Sequence, residues 1–320
     1  MRRRGLLAAL ALTPGMARAQ TTPFPARTVR IVVPYGPGGS SDIVARILAQ
    51  HASEVSGQNF VVENRGGGAT VPGTQAVATA APDGYTLGTN DNALLVNPAL
   101  IGDRLPYDTE RDLGFLGLAV TSPALLLAHP AAPARSVAEV LAEATARPGL
   151  GISHGGIGAP THLALVQFQM ASGREITPVG YRGGGPQLAA LAAGDTPYGF
   201  VALSSSLQHV QSGRLRALAV TGAARAPLLP EVPSMAEAGL PAVDVLGIWG
   251  FITPPGLPPA IMARLHALLL APAREAPLKP KLEAQGYSVV AGGPEEYAAM
   301  VRREIAQWRD LVQRAGIKVE

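Results

Sequence analysis

The stretch Ile31-Val32-Val33-Pro34-Tyr35-Gly36-Pro37-Gly38-Gly39-Ser40-Ser41-Asp42-Ile43-Val44-Ala45-Arg46 constrains the chain most. Three β-branched apolar residues open it, as suits a buried parallel strand. Glycine and proline then break the pattern. Apolar residues fall next at positions 43, 44, 47 and 48, one face of a helix. The order is strand, glycine loop, helix start. Ser40, Ser41 and Asp42 are candidate caps for the first turn. Gly36, Pro37, Gly38 and Gly39 form a loop whose glycines let backbone approach a ligand. The free N–H groups of the first helical turn and the helix dipole favour an anion there. A Walker phosphate loop needs a lysine that is missing, and a dinucleotide fingerprint needs glycine where Ser41 stands. Phosphate is therefore not indicated, and a carboxylate suits as well. A tight turn whose glycines serve packing alone accounts for the pattern equally well.

The same grammar recurs. Residues 60–63 read as a strand, 64–68 as a glycine loop, and Thr70-Val71-Pro72 as a helix start. Residues 85–89 read as a third strand ending in the polar cluster Asn90-Asp91-Asn92. This is βαβαβ, half of a doubly wound sheet. Thr121-Ser122-Pro123 separates two apolar segments, 113–120 and 124–128. A second unit then opens on the capping box Ser136-Val137-Ala138-Glu139. Residues 151–153 read as a short strand before a glycine loop over 154–160, with a helix from Thr161. Residues 176–180 lead into Tyr181-Arg182-Gly183-Gly184-Gly185, and 198–203 into Ser204-Ser205-Ser206. In open parallel sheets ligands bind beyond the strand carboxyl ends. Two such sheets facing each other gather several helix N-termini around one cleft. Residues 248–252 read as a late strand returning to the first unit. In a helix opened by Pro294 and stopped by Gly316, the stripe Tyr297, Val301, Ile305, Trp308 and Val312 reads as core packing.

The net charge of +3 misleads. Arg2, Arg3, Arg4 and Arg18 lie in a segment with the basic, apolar and small-residue parts of a secretory leader, expected to be removed before Gln20. Without those four, the 26 basic residues fall one short of the 23 acids, so the charge gives no support for nucleic-acid binding. With 0 Cys there is no disulfide, thiolate metal site or lipid anchor to expect. The rival reading is a hydrolase or transferase on a similar scaffold. Serine, histidine and aspartate occur, but a Gly-x-Ser-x-Gly nucleophile elbow is not expected among them, and no paired-histidine metal motif is present.

The chain resembles the periplasmic solute receptors of tripartite tricarboxylate transporters, the Bug receptors. The resemblance rests on Val32-Val33-Pro34-Tyr35 through Gly38-Gly39 and Asp42, on Val62-Glu63-Asn64-Arg65, and on Ala81-Pro82-Asp83-Gly84-Tyr85-Thr86-Leu87. It continues with Asn97-Pro98, Leu105-Pro106-Tyr107-Asp108, His162-Leu163, Gly213-Arg214-Leu215-Arg216-Ala217-Leu218-Ala219-Val220-Thr221, and Glu237-Ala238-Gly239-Leu240-Pro241.

The resemblance implies an α/β, two-lobed type II periplasmic-binding fold: two mixed, mostly parallel sheets flanked by helices, with two crossover strands. Residues 1–19 are then a signal peptide, 20–123 and 248–320 one lobe, and 124–247 the other. The expected function is capture of a small organic carboxylate by a monomer, with delivery to a membrane permease. Catalysis, a cofactor, a metal and nucleic acid are not expected. A receptor signalling to a membrane histidine kinase would share the fold. The implied ligand residues are Tyr35, Gly36, Pro37, Gly38, Gly39, Ser40, Ser41, Asn90, Asp91, His154, Gly155, Gly156, Thr161, Tyr181, Arg182 and Gly183. Asp42 would repel an anion and reads as structural. His154 could donate to a carboxylate, and Arg182 could clamp one. His154 and Ala159 stand where the family has small hydroxyl residues, Arg182 where it has lysine, and Pro197 and Val201 where it often has aspartate. These departures favour a plain or bulky carboxylate over an amino acid.

Overall fold

The computed structural model describes residues 24–315. The expected leader and the helix stop at Gly316 lie outside the described residues. The first unit runs β1 (Val29–Val33), α1 (Ser40–Ser56), β2 (Phe60–Asn64), α2 (Val71–Ala78), β3 (Thr86–Asn90) and α3 (Asn92–Ile101). β1 pairs in parallel with β2 and β3, as the alternating strand and helix pattern requires. The periodic apolar face of α1 buries Val44, Ile47 and Leu48 over this sheet.

β4 (Gly114–Ala128) is a single strand of 15 residues. The sequence reads it as two segments broken at Thr121-Ser122-Pro123, and the structure corrects this. Proline is tolerated because the strand changes neighbours at that point: Pro123 is the last residue paired with β9, and Ala124 the first paired with β7 (Tyr198–Ala202). The second unit comprises α4 (Val137–Ala146), β5 (Leu150–His154), α5 (Pro160–Ser172), β6 (Ile176–Gly180), α6 (Gly184–Ala193), β7, α7 (Leu203–Gln211) and β8 (Arg216–Val220). β5 is parallel to β6 and β7. β9 (Leu246–Thr253) returns to the first sheet between β3 and β4. α8 (Pro259–Leu269), α9 (Leu278–Glu283), β10 (Ser288–Val289) and α10 (Pro294–Ala315) complete the described chain.

The strand path is β2-β1-β3-β9-β4-β7-β5-β6, with β8 and β10 also on β4. The parallel pairings belong to the βαβ units, and every antiparallel one involves β4 or β9. α10 lies on α3 and β4. Its Tyr297, Val301, Ile305 and Val312 are buried in the core. Each such aliphatic side chain contributes about 1.5–3 kcal/mol at most, enough to seat α10 on the core.

Candidate functional site

α1 begins at Ser40 itself, three residues before its apolar periodicity, with Gly39 as N-cap and no side-chain capping bond. None of the three candidate caps serves that role. Asp42, 3% exposed, instead accepts from Gly38 N at 3.0 Å. It is also gripped by Arg46 at 2.9 Å and by Asn64 Nδ2 at 2.9 Å, while the same Asn64 nitrogen donates to Tyr35 O at 3.0 Å. Burial opposes ionisation of Asp42, but the bonds from Arg46, Gly38 and Asn64 hold its carboxyl below the usual range. Asp42 thus fixes the glycine loop; Asp42 N and Ile43 N bond Gly39 O, and Ser40 and Ser41 are the first-turn residues of α1 that reach the cavity.

α5, α6 and α7 likewise begin without a side-chain cap, at Ala159, Gly183 and Ala202. These starts and that of α3 converge on one inner cavity of about 30 Å³. Its wall takes Ser40 and Ser41 from α1, Asp91 as the N-cap of α3, Pro160 and Thr161 from α5, Gly184 from α6 and Ser205 from α7. Tyr35, Gly39, Gly155, Ala159, Ala202 and Trp249 complete it. Among the described residues, its lining holds no lysine, arginine or histidine side chain. Amides, hydroxyls and helix dipoles are therefore the groups available to an anion. Thr161 Oγ1 accepts from Gly155 N at 2.9 Å, which holds the β5–α5 loop against its helix.

The two units touch around this cavity. Ser40 Oγ and Ser204 Oγ are 2.7 Å apart, and Gly36 N donates to Arg182 O at 3.0 Å. The glycine loops meet backbone to backbone: a Cβ on Gly185 would lie 2.0 Å from Pro37 O. Gly183, at φ 128°, needs the freedom of glycine to enter this contact.

A second cavity of about 410 Å³ lies outside the first and shares Tyr35 with it. Gly67, Gly68, Ala69, Thr70, Ile101 and Arg104 line it from one unit, and Gly156, Ile157, Gly180, Tyr181 and Arg182 from the other. Tyr35 is 7% exposed, and its hydroxyl donates to Asp91 Oδ1 at 3.0 Å.

The sequence model of the "Tripartite tricarboxylate transporter family receptor" family matches residues 44–317. The chain belongs to this family. It is 32% identical to protein BugT of Bordetella pertussis over 300 residues, covering 93% of this chain and 92% of the relative. An R. palustris protein solved with adipate is 32% identical, with a TM-score of 0.88 over 92% of this chain and 99% of that one. MatC of Rhodopseudomonas palustris, solved with bound malate, is 30% identical, with a TM-score of 0.85 over 90% and 100%. The receptor family is a binding and transport class, not an enzyme class.

Within this receptor the expected site residues divide. Tyr35, Gly39, Ser40, Ser41, Asp91, Gly155 and Thr161 share the inner cavity, whereas Gly156, Tyr181 and Arg182 face the outer one. Gly36, Pro37, Gly38 and Gly183 form the contact between the glycine loops. Asn90 stands apart from both cavities, its Nδ2 donating to the Tyr297 hydroxyl at 2.5 Å. His154, at the end of β5, lines neither cavity. The ring stacks on His162 with centroids 4.5 Å apart and meets the Gly156 backbone. Burial pushes the two imidazoles down to about 3 and about 4, so both are neutral braces of the loop at ordinary pH. Ser205 was legible from the strand-polar-helix pattern; Trp249 carries no local signal.

One string of letters tests the enzyme reading. Gly151-Ile152-Ser153-His154-Gly155 spells Gly-x-Ser-x-Gly, so the string expected to be missing is present. Its serine is not an exposed nucleophile. Ser153 is 0% exposed inside β5, and its Oγ bonds Tyr198 O and Gln187 Nε2, each at 3.3 Å.

Proposed function

We propose that this chain is a periplasmic receptor that captures a small organic carboxylate between two lobes, residues 20–123 with 248–320 and residues 124–247, and delivers it to a tripartite tricarboxylate-type permease. One observation carries the reading: five helix starts, four of them without a side-chain cap, face one cavity without cationic side chains. The adipate and malate held by its relatives are anions of that class. A micromolar receptor needs about 8 kcal/mol net after association costs of at least ~4. Five helix starts at about 0.3–1 kcal/mol each and four charge-assisted hydrogen bonds at roughly 1.5–3 each bracket that total.

The inner cavity has room for about two water molecules, which suits a carboxylate group. The body of a longer solute then extends past Tyr35 into the outer cavity. A thermal-shift screen of mono-, di- and tricarboxylates and amino acids tests the reading. A cognate carboxylate at a hundred times its Kd should stabilise the chain by about 2.7 kcal/mol and raise Tm by several degrees. Stabilisation by nucleotides or metal ions alone would contradict it. Arg182 is exposed on the outer cavity, so Arg182→Ala should lower carboxylate affinity only about two- to fivefold, less at high salt. A hundredfold loss by calorimetry would instead place its guanidinium on the bound anion.

A further inference from the structure

Asp91 is the carboxyl side chain in the inner cavity wall, and anion capture leaves it without a role. An ionised carboxylate there would repel the solute, with no cationic side chain in the lining to offset it. Asp91 is 3% exposed. Its Oδ1 accepts from Ala93 N at 2.9 Å, which caps α3, and from the Tyr35 hydroxyl at 3.0 Å. The titratable groups around it are Tyr35 from the β1–α1 loop and Tyr297 from α10. Tyr107 acts on Tyr35 in turn, and the neighbouring β5–α5 loop brings the neutral His154 and His162. No fixed cation among these compensates a second negative charge.

We propose that Asp91 is a solute-contacting residue that takes up one proton when a carboxylate enters, so that the two groups bind as a shared-proton carboxyl–carboxylate pair and solute capture is proton-linked. This rests on the receptor reading above. Two carboxylates in one narrow cavity without a cationic side chain do not both stay ionised, because each raises the proton affinity of the other. Burial already lifts Asp91 to about 7, against the bonds from Tyr35, Ala93 and its own backbone N–H that favour its charged form. Oδ1 keeps its two donors, and the proton on the other oxygen is free to be donated to the solute. The proton comes from solvent on binding and returns to it on release. Capture is favoured where protons are plentiful, and a rise in pH drives discharge.

The test is calorimetric titration of the mature chain with adipate and with malate at pH 6, 7 and 8, in buffers of differing ionisation heat. The expected result with whichever binds is uptake rising toward one proton at pH 8, with affinity falling up to about tenfold per pH unit above neutrality. Asp91→Asn, whose amide donates as the protonated acid does, should bind at every pH without proton uptake and with flat affinity. No uptake at pH 8 in the wild type, or a folded Asp91→Asn that binds neither probe at pH 6 while the wild type does, overturns the proposal.

Absence of binding by either probe at every pH counts against the receptor reading instead. The empty-site melting temperatures then decide the Asp91 proposal. A carboxyl lifted by burial binds its proton more tightly folded than unfolded, so the wild type loses stability relative to Asp91→Asn as pH rises from 4 to 7. A Tm difference that stays constant over that window overturns the proposal.

Discussion

Gly185→Ala is expected to lower carboxylate affinity by about two orders of magnitude, the price of one overpacked contact of roughly 2–3 kcal/mol. The unliganded chain should melt no lower than the wild type. Gly185 sits in the first turn of α6 with a conformation open to any residue, and there alanine is favoured by up to about 1 kcal/mol. The obstruction lies across the cleft, where the added Cβ would stand 2.0 Å from Pro37 O. Two backbones held that close leave no flexible side chain to move aside. The units must separate, and the amides of α1 and α6 then no longer reach one anion together. Calorimetry and a thermal melt read the two effects separately. Unchanged affinity would mean that binding does not use this contact, and a large drop in Tm would mean that the contact belongs to the core.

Asp42→Ala should destabilise the chain by about 2–3 kcal/mol, the cost of losing a buried carboxylate that accepts several charge-assisted bonds, at the low end for a broken ion pair because the donors lie at the surface and Arg46 regains water. Gly38 N loses its acceptor, Asn64 Nδ2 keeps the Tyr35 carbonyl while its Oδ1 still accepts from Arg46 at 3.0 Å, and the Arg46 side chain is 52% exposed. The loop carrying the α1 amides loosens with it, so affinity falls too. The pH dependence has a definite sign. Asp42 is held below its ordinary value of 3.8 in the fold, so its contribution is complete above pH 4 and fades as pH drops through the folded-state value. Urea melts should show the gap between wild type and Asp42→Ala closing below pH 4. A gap that persists into stronger acid would assign the loss to packing instead of charge.

The elements legible in the sequence were those whose chemistry is local. Strand, glycine loop and helix follow one another within some twenty residues around Gly38 and again around Gly156, and the amide-rich starts of α1 and α5 lie where that grammar puts them. Ser136 caps α4 as the capping box foretells, although Glu139 reaches back to Arg135 N instead of Ser136 N.

Long-range decisions were not legible. Whether Pro123 ends a strand depends on which neighbour lies beside it, and that neighbour arrives over a hundred residues later as β9. Trp249 enters the cavity wall from the same late strand. His154 looked like a cleft donor because it closes β5 and opens the glycine loop; only the packing of His162 shows where the ring goes. Asp42 was readable as structural from charge alone, since a carboxylate at an anion site needs its own partners.

The central claim is that backbone amides at the converging helix starts hold a carboxylate. Amide NMR of the isotopically labelled chain, titrated with adipate and malate, tests it residue by residue. Large, saturable shifts are expected at Ser40, Ser41, Thr161 and Gly184. Saturable shifts that leave those four unmoved and gather elsewhere, as in the groove of Asp103, Asp108 and Asp112, would contradict it.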